Sequence, residues 1–263
     1  MACRLLTTRG IAITALAAAL GVGPALGQSG DGRLSFTAGA GLQVSPDYFG
    51  ADSYGLGPAG AFELHELNFG NGLAFGPEAP GNSPYGFGIG PSFGLVGARG
   101  DDDFDELSGL DDIDGTVEVG LGLRYAAPNF ESFANLRYGL FGHESFVGEV
   151  GADLVMTPDE RLRVTIGPRA LFGSDKFTDT YFGVSASESA ASGLDAHDPD
   201  GGLVSAGVEL GATWQINESW GLFGEVTYDR LVNDAADSPI TKQGSADQFG
   251  ASIGLTRRFN LDF

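Results

Sequence analysis

The chain has 263 residues, among them 43 Gly, 19 Phe and one Cys, and a formal charge of −21. So much glycine argues against a helical enzyme and suits many short strands whose inner face needs small residues. The acidic excess argues against nucleic-acid binding, which needs a basic footprint.

Arg4 and Arg9 form a short basic region, residues 11–22 an apolar run, and Ala25-Leu26-Gly27 a small-x-small cleavage site before Gln28. Residues 1–27 therefore read as a secretory signal peptide and residues 28–263 as a single domain. The apolar run is shorter than the roughly 20 residues a membrane helix needs. Cys3 leaves with the leader, so the mature chain is expected to have no thiol, disulfide or Cys-based metal site. Elsewhere no stretch of the necessary length is free of charge and Gly. A membrane location then requires a closed barrel, since only helices and closed barrels satisfy their backbone in hydrocarbon.

The first strand expected is 34–44, with Leu34, Phe36, Ala38, Ala40, Leu42 and Val44 on one face and small or polar residues on the other. Weaker runs follow at 56–65 and 67–76. In the next, Tyr85, Phe87, Ile89, Phe93 and Leu95 oppose Gly86, Gly88, Gly90, Ser92 and Gly94. Then Val117, Val119, Leu121, Leu123 and Tyr125 oppose Thr116, Glu118, Gly120, Gly122 and Arg124. Runs at 132–141, 146–156 and 161–172 precede 203–216, whose even positions from Val204 to Ile216 are all apolar. The clear runs are about 10 to 13 residues long, as a tilted membrane strand requires. A run at 219–231 and a last one at 249–263 complete eleven. An even number is expected of a bacterial single-chain barrel, and 176–185 supplies the twelfth. The reading is an all-β, antiparallel, up-and-down transmembrane barrel of about twelve strands, with ten as the alternative.

The last strand carries Phe249, Ala251, Ile253, Leu255, Arg257, Phe259, Leu261 and Phe263 on one face. Nothing downstream covers that face, and a membrane would. A terminal aromatic is also the assembly signal of bacterial outer-membrane barrels. The opposite face of the strand set carries Glu63, Glu118, Arg124, Arg137, Glu149, Asp153, Arg163, Arg169, Glu209, Glu225, Asp229 and Arg258. Charges there must be paired or wet, so a lumen network of carboxylates and guanidiniums is expected. Such a network fills a narrow barrel; the other reading of it is a selective pore.

The three histidines, His65, His143 and His197, match no nucleophile elbow or HExxH pattern. His143 and His197 read as turn residues, and no catalytic, cofactor-binding or metal-binding residue is assigned. The run Asp101-Asp102-Asp103-Phe104-Asp105-Glu106, followed by Asp111, Asp112 and Asp114, lacks EF-hand spacing and reads as a solvated loop. Counting strands places it at the periplasmic end, where it would meet a basic partner.

Four blocks carry a family resemblance: Ser45-Pro46-Asp47-Tyr48-Phe49-Gly50; Leu107-Ser108-Gly109-Leu110-Asp111-Asp112-Ile113-Asp114; Thr180-Tyr181-Phe182-Gly183-Val184-Ser185 with Ala190-Ala191-Ser192-Gly193-Leu194; and Tyr228-Asp229-Arg230-Leu231 with Asp234-Ala235-Ala236-Asp237-Ser238-Pro239-Ile240. In this order they resemble the MipA/OmpV family of outer-membrane proteins, from about residue 34 to 259. The chain departs from that family by continuing four residues beyond Phe259, so either Phe259 or Phe263 is the assembly signal. The resemblance implies a barrel in the bacterial outer membrane, in contact with its lipid, without chemistry of its own. It also implies a scaffold for a periplasmic murein hydrolase or synthase, of the MltA-interacting type. The alternative is a small outer-membrane pore for solutes.

Overall fold

The computed structural model describes residues 32–79, 82–100 and 104–263. The signal-peptide expectation, and residues 101–103 of the acidic run, lie outside them. The sheet has eleven antiparallel strands: β1 (Gly32–Pro46), β2 (Tyr54–Phe69), β3 (Ala74–Phe75), β4 (Gly86–Val96), β5 (Thr116–Ala127), β6 (Phe130–Leu140), β7 (Phe146–Met156), β8 (Leu162–Gly173), β9 (Gly202–Gln215), β10 (Trp220–Leu231) and β11 (Asp247–Asp262). All but the two-residue β3 are long enough to cross a membrane. β1 pairs with both β2 and β11, which joins the two ends of the chain and curls the sheet into a nearly closed barrel.

Strand alternation decides which side chains meet lipid. Phe87, Ile89, Phe93 and Leu95 of β4, Leu121 and Leu123 of β5, and Ile253 and Leu255 of β11 are all exposed on the outside. A soluble protein would not leave so continuous an apolar surface bare, whereas a membrane covers it. Arg257, the one charge in the outward series of β11, lays its guanidinium over the rings of Trp220 at 5.3 Å and Phe259 at 5.1 Å. That is a cation–π arrangement suited to the membrane interface.

Two expectations are corrected. Residues 176–185 are no strand: Asp175–Phe182 is a helix, α1, followed by α2 (Ala186–Ser192). α1 buries Phe177, Thr178, Tyr181 and Phe182, a helical spacing that places four neighbours on one face. The runs 56–65 and 67–76 are not two spanning strands either. β2 passes through both, with a bulge where Ser35 opposes Glu66 and Phe36 opposes Leu64, leaving His65 as the extra residue. A bulge inverts the alternation, so one strand reads as two.

The merger of those runs reverses the side of the next connections. Segments 47–53, 97–100, 104–115, 141–145, 174–201 and 232–246 gather at one end, and the described acidic residues Asp105, Glu106, Asp111, Asp112 and Asp114 lie there, away from the ends of β1 and β11 that begin and close the sheet. The opposite end has the tight turns at 128–129, 157–161 and 216–219. In two of these an Asx side chain caps the turn: Asp159 accepts from the N–H of Arg161 and Leu162, and Asn217 from those of Ser219 and Trp220. Outer-membrane barrels have short periplasmic turns and longer extracellular loops, which assigns the end with Asp105, Glu106, Asp111, Asp112 and Asp114 to the extracellular side.

The dry core lies in these long connections and not in the lumen. Phe177, Tyr181 and Phe182 of α1 pack with Ile113, Val147, Val204, Leu231 and Ala235. Beside them Tyr48, Ala51, Leu107, Leu110, Val184 and Ile240 form a second cluster. The segment 232–246 contributes α3 (Asn233–Asp237) and α4 (Pro239–Gln243). Burial of Phe177, Phe182, Leu107 and Ile240, all essentially inaccessible, contributes about 2 kcal/mol each. The result is a folded cap across the barrel mouth.

Candidate functional site: the charged lumen beneath the cap

Each of the twelve charges expected on the inner face is there, and the structure groups most of them around arginines. Arg137 on β6 donates to Glu118 on β5 and Glu149 on β7, both at 2.7 Å, and reaches the Ser92 hydroxyl on β4 at 3.4 Å. Arg169 on β8 donates to Asp153 on β7 at 3.0 and 3.1 Å and to both oxygens of Glu209 on β9 at 2.8 and 3.1 Å, with its guanidinium over the Phe133 ring. Nearer the periplasm, Arg163 pairs with Glu131 at 2.7 Å, and Arg124 bridges Glu131 and Glu63 at 3.6 and 3.8 Å. Arg258 pairs with Glu78. These bonds tie strands together across their lumen face, and bidentate geometry makes the Arg169–Glu209 pair the most directional of them.

His143 does more than turn the chain between β6 and β7. It is fully buried, its ring lies 5.1 Å from that of Phe177, its Nδ1 lies 2.8 Å from the Ser145 hydroxyl, and its Nε2 lies 3.3 Å from Glu118. Ser, His and Glu in line have the composition of a hydrolytic triad. Here, however, Nδ1 also accepts the Ser145 backbone N–H at 3.2 Å, Phe177 and Tyr181 of α1 pack on the His143 ring, and all three residues are buried. A nucleophile needs a space where a reacting atom can sit beside it. The arrangement instead fastens the cap to the Glu118–Arg137–Glu149 network. Sequence reasoning missed this link because Glu118 is 25 residues away; the only cue was that Glu118 and the β6–β7 turn follow from adjacent strands.

His197 pins the cap from within, bridging to Val184 through the backbone and placing Nε2 2.9 Å from the Asp234 carbonyl. Arg99 is buried in the cap and donates to the Tyr181 carbonyl at 3.0 Å; burial lowers its pKa. Burial raises the Tyr48 phenol, helped by its hydrogen bond to Glu106. For Glu188 burial works the other way, yet the N–H of Asp111, the Ser185 hydroxyl and N–H, and the charge of Arg99 together hold its carboxyl below the usual range.

Between cap and networks lies a cavity of about 440 Å³. Glu149, Arg169, Glu209, Glu225 and Asp229 face it from the barrel wall, and Tyr48, Phe49, Arg99 and Tyr181 from the cap. Among the described residues no group of three His, Cys, Asp or Glu side chains has a metal-holding arrangement. Chemically the space can hold water and a polar group.

A barrel with a lipid-facing apolar band, a charged lumen and long loops at one end is a bacterial outer-membrane β-barrel. The model of the family described as "MltA-interacting protein MipA" matches residues 38–259, and the chain belongs to that family. The MltA-interacting proteins of Escherichia coli (strain K12) and Shigella flexneri are each 30% identical to it over 159 residues, 59% of this chain and 61% of theirs. The match thus spans about three fifths of these curated relatives. Among solved structures, OprG from Pseudomonas aeruginosa has a TM-score of 0.32 at 12% identity, covering 88% of this chain and 98% of that one. An OmpF complex with daunomycin from Salmonella typhi has a TM-score of 0.36 at 12% identity, covering 89% and 99%. At such scores the architecture rests on the strand ladder itself.

Proposed function

We propose that this barrel is a scaffold in the outer membrane that holds a murein-processing enzyme at its periplasmic end, with no chemistry of its own. The observation that carries this reading is the folded cap over a cross-linked lumen. The cap has its own hydrophobic core, and the lumen below it is cross-linked by arginine pairs, so the interior is organised for rigidity. The name of the curated relatives, MltA-interacting protein, supplies the kind of partner.

On this reading a periplasmic partner meets the end of the barrel opposite Asp105 and Glu106, with its tight turns and the connection between β2 and β4. That connection is long where barrels usually have short turns, and it exposes Leu73, Phe75 and Tyr85. Replacing Leu73 and Phe75 by Asp should reduce crosslinked recovery of a murein hydrolase or synthase from intact envelopes. Replacing Asp105 and Glu106 by Ser should leave recovery unchanged. Planar-bilayer recordings decide against the solute pore, the second reading, if the purified protein gives no large steady currents. Equal recovery from both variants, or steady large currents with no partner, would overturn the scaffold reading.

A further inference from the structure

Among the described residues no ladder joins β2 or β3 to β4, so the barrel has a seam. Side chains alone cross it: Phe62 meets Phe93 edge to face with centroids 5.7 Å apart, and Glu63 lies 3.8 Å from Arg124. Both seam strands carry a proline in mid-strand, Pro58 in β2 and Pro91 in β4. A third, Pro168 in β8, shows what a proline does when it faces a neighbour. The β8–β9 register runs through it, whereas the β7–β8 pairing breaks between Gly151–Arg169 and Leu154–Ile166. The β1–β2 register runs unbroken past Pro58, and the β4–β5 register past Pro91. Their missing donors therefore face the seam, and neither edge can zip through at that height.

The inner side of the seam is open beside the first half of β4, although Glu118 and Arg137 fill it at Gly94. A Cβ added at Gly88 or Gly90 would meet nothing within 4 Å, and the cavity beneath the cap extends to Leu95, Val96 and Gly97 at the end of β4. Unpaired backbone at membrane depth is tolerated only inside protein or beside a water-filled space. The lumen provides that space.

We propose that the β2–β4 seam is a lateral opening from lumen to membrane that admits an amphiphile, its polar head in the lumen and its hydrocarbon chain passing between Phe62 and Phe93. Carboxylates outnumber guanidiniums along the lumen face, from Glu63 and Glu118 to Glu225 and Asp229, so a cationic head is favoured by charge. This goes beyond the scaffold reading and does not depend on it.

The test uses the full mature protein in lipid nanodiscs. Amides of β2 and β4 should exchange with deuterium on the order of tenfold or more faster than those of β6 and β7. Bimane on Gly90→Cys should be quenched by a hexadecyl ammonium carrying a nitroxide on its head, and far less by the same ammonium without its chain. Pro58→Thr with Pro91→Thr restores both donors, and should slow exchange at the seam and remove most of the quenching. Gly88→Trp fills the slot without relying on that zipping, and should remove quenching as well. Equal protection of β2, β4, β6 and β7 in the parent would overturn the proposal. So would quenching that persists in Gly88→Trp or that does not need the hydrocarbon chain.

Discussion

Arg137 shows how much one side chain can carry. Its guanidinium and the Glu118 carboxylate are both nearly inaccessible, with Glu149 half-buried beside them. Removing one member of a buried ion pair leaves the other charged and unsolvated, at a cost of about 3–5 kcal/mol. Arg137→Ala should therefore lower the urea concentration at which the folded, fast-migrating band is lost on unboiled detergent gels. Lys242→Ala removes an exposed contact to Asp237 and should change stability by less than about 1 kcal/mol. A similar loss in both variants would show that the lumen pairs are solvated like surface ones. Gly139 belongs to the same unit, because a Cβ there would collide with the His143 ring, and Gly139→Ala should displace His143 from Glu118. The inward direction of each charge was legible from alternation; which carboxylate Arg137 meets was not, since its partners come from two other strands.

At the scale of elements, the cap is held by short segments that read one another's ends. α2 begins with a capping box, Ser185 accepting the Glu188 N–H and Glu188 accepting the Ser185 N–H. The second carboxylate oxygen of Glu188 takes the N–H of Asp111 at 3.0 Å, so the cap of one helix also fastens the 97–115 connection. The carboxyl is lowered from its ordinary value of 4.5. A carboxylate depressed in the folded state stabilises fully above its unfolded pKa, and the stabilisation fades as pH falls through the folded one. Acidification below about pH 4.5 should thus loosen the α2 contact in the wild type. Glu188→Gln should show that looser state at neutral pH and respond less to acid, with limited proteolysis of 97–115 and 174–201 as the readout. A pH response unchanged by the substitution would assign the effect to other groups. The capping signature Ser185-x-x-Glu188 stands in the sequence, yet α1 just before it was read as a strand. Its aromatic residues suit either period, and only burial against Ile113 and Val204 decides for the helix.

On the scale of the whole molecule, closure depends on the two chain ends. β11 pairs with β1 from Arg33–Asp262 to Val44–Ala251, the Phe36 and Phe259 rings stack at 5.1 Å, and Phe263 exchanges backbone hydrogen bonds with Gly32. Deleting residues 260–263 removes the outermost pairs but keeps the Phe36–Phe259 stack. Membrane insertion should fall yet remain detectable by heat-modifiable mobility, and deleting residues 259–263 should abolish it. Equal insertion of the two truncations would show that neither aromatic is the assembly signal. The acidic balance is also a property of the assembled molecule. Among the described residues the five cap connections hold sixteen of the 35 acidic residues against three Lys or Arg, so the cap end is strongly acidic.

The sequence by itself determined that strands alternate apolar and polar faces, that the apolar face needs a membrane, and that the listed charges line the interior. Those properties follow from the two-residue period of an extended chain, which each segment carries locally. Tertiary structure decided what depends on distant residues. The β2 bulge at His65 is set by pairing with Ser35 and Phe36, and it moves Asp105, Glu106 and the acidic residues after them to the other end of the barrel. The cap exists because Tyr48, Leu107, Val184 and Ile240 meet from four separate connections. Among the described residues no ladder joins β2 to β4, and only the ladder around the rest of the barrel places those two strands side by side.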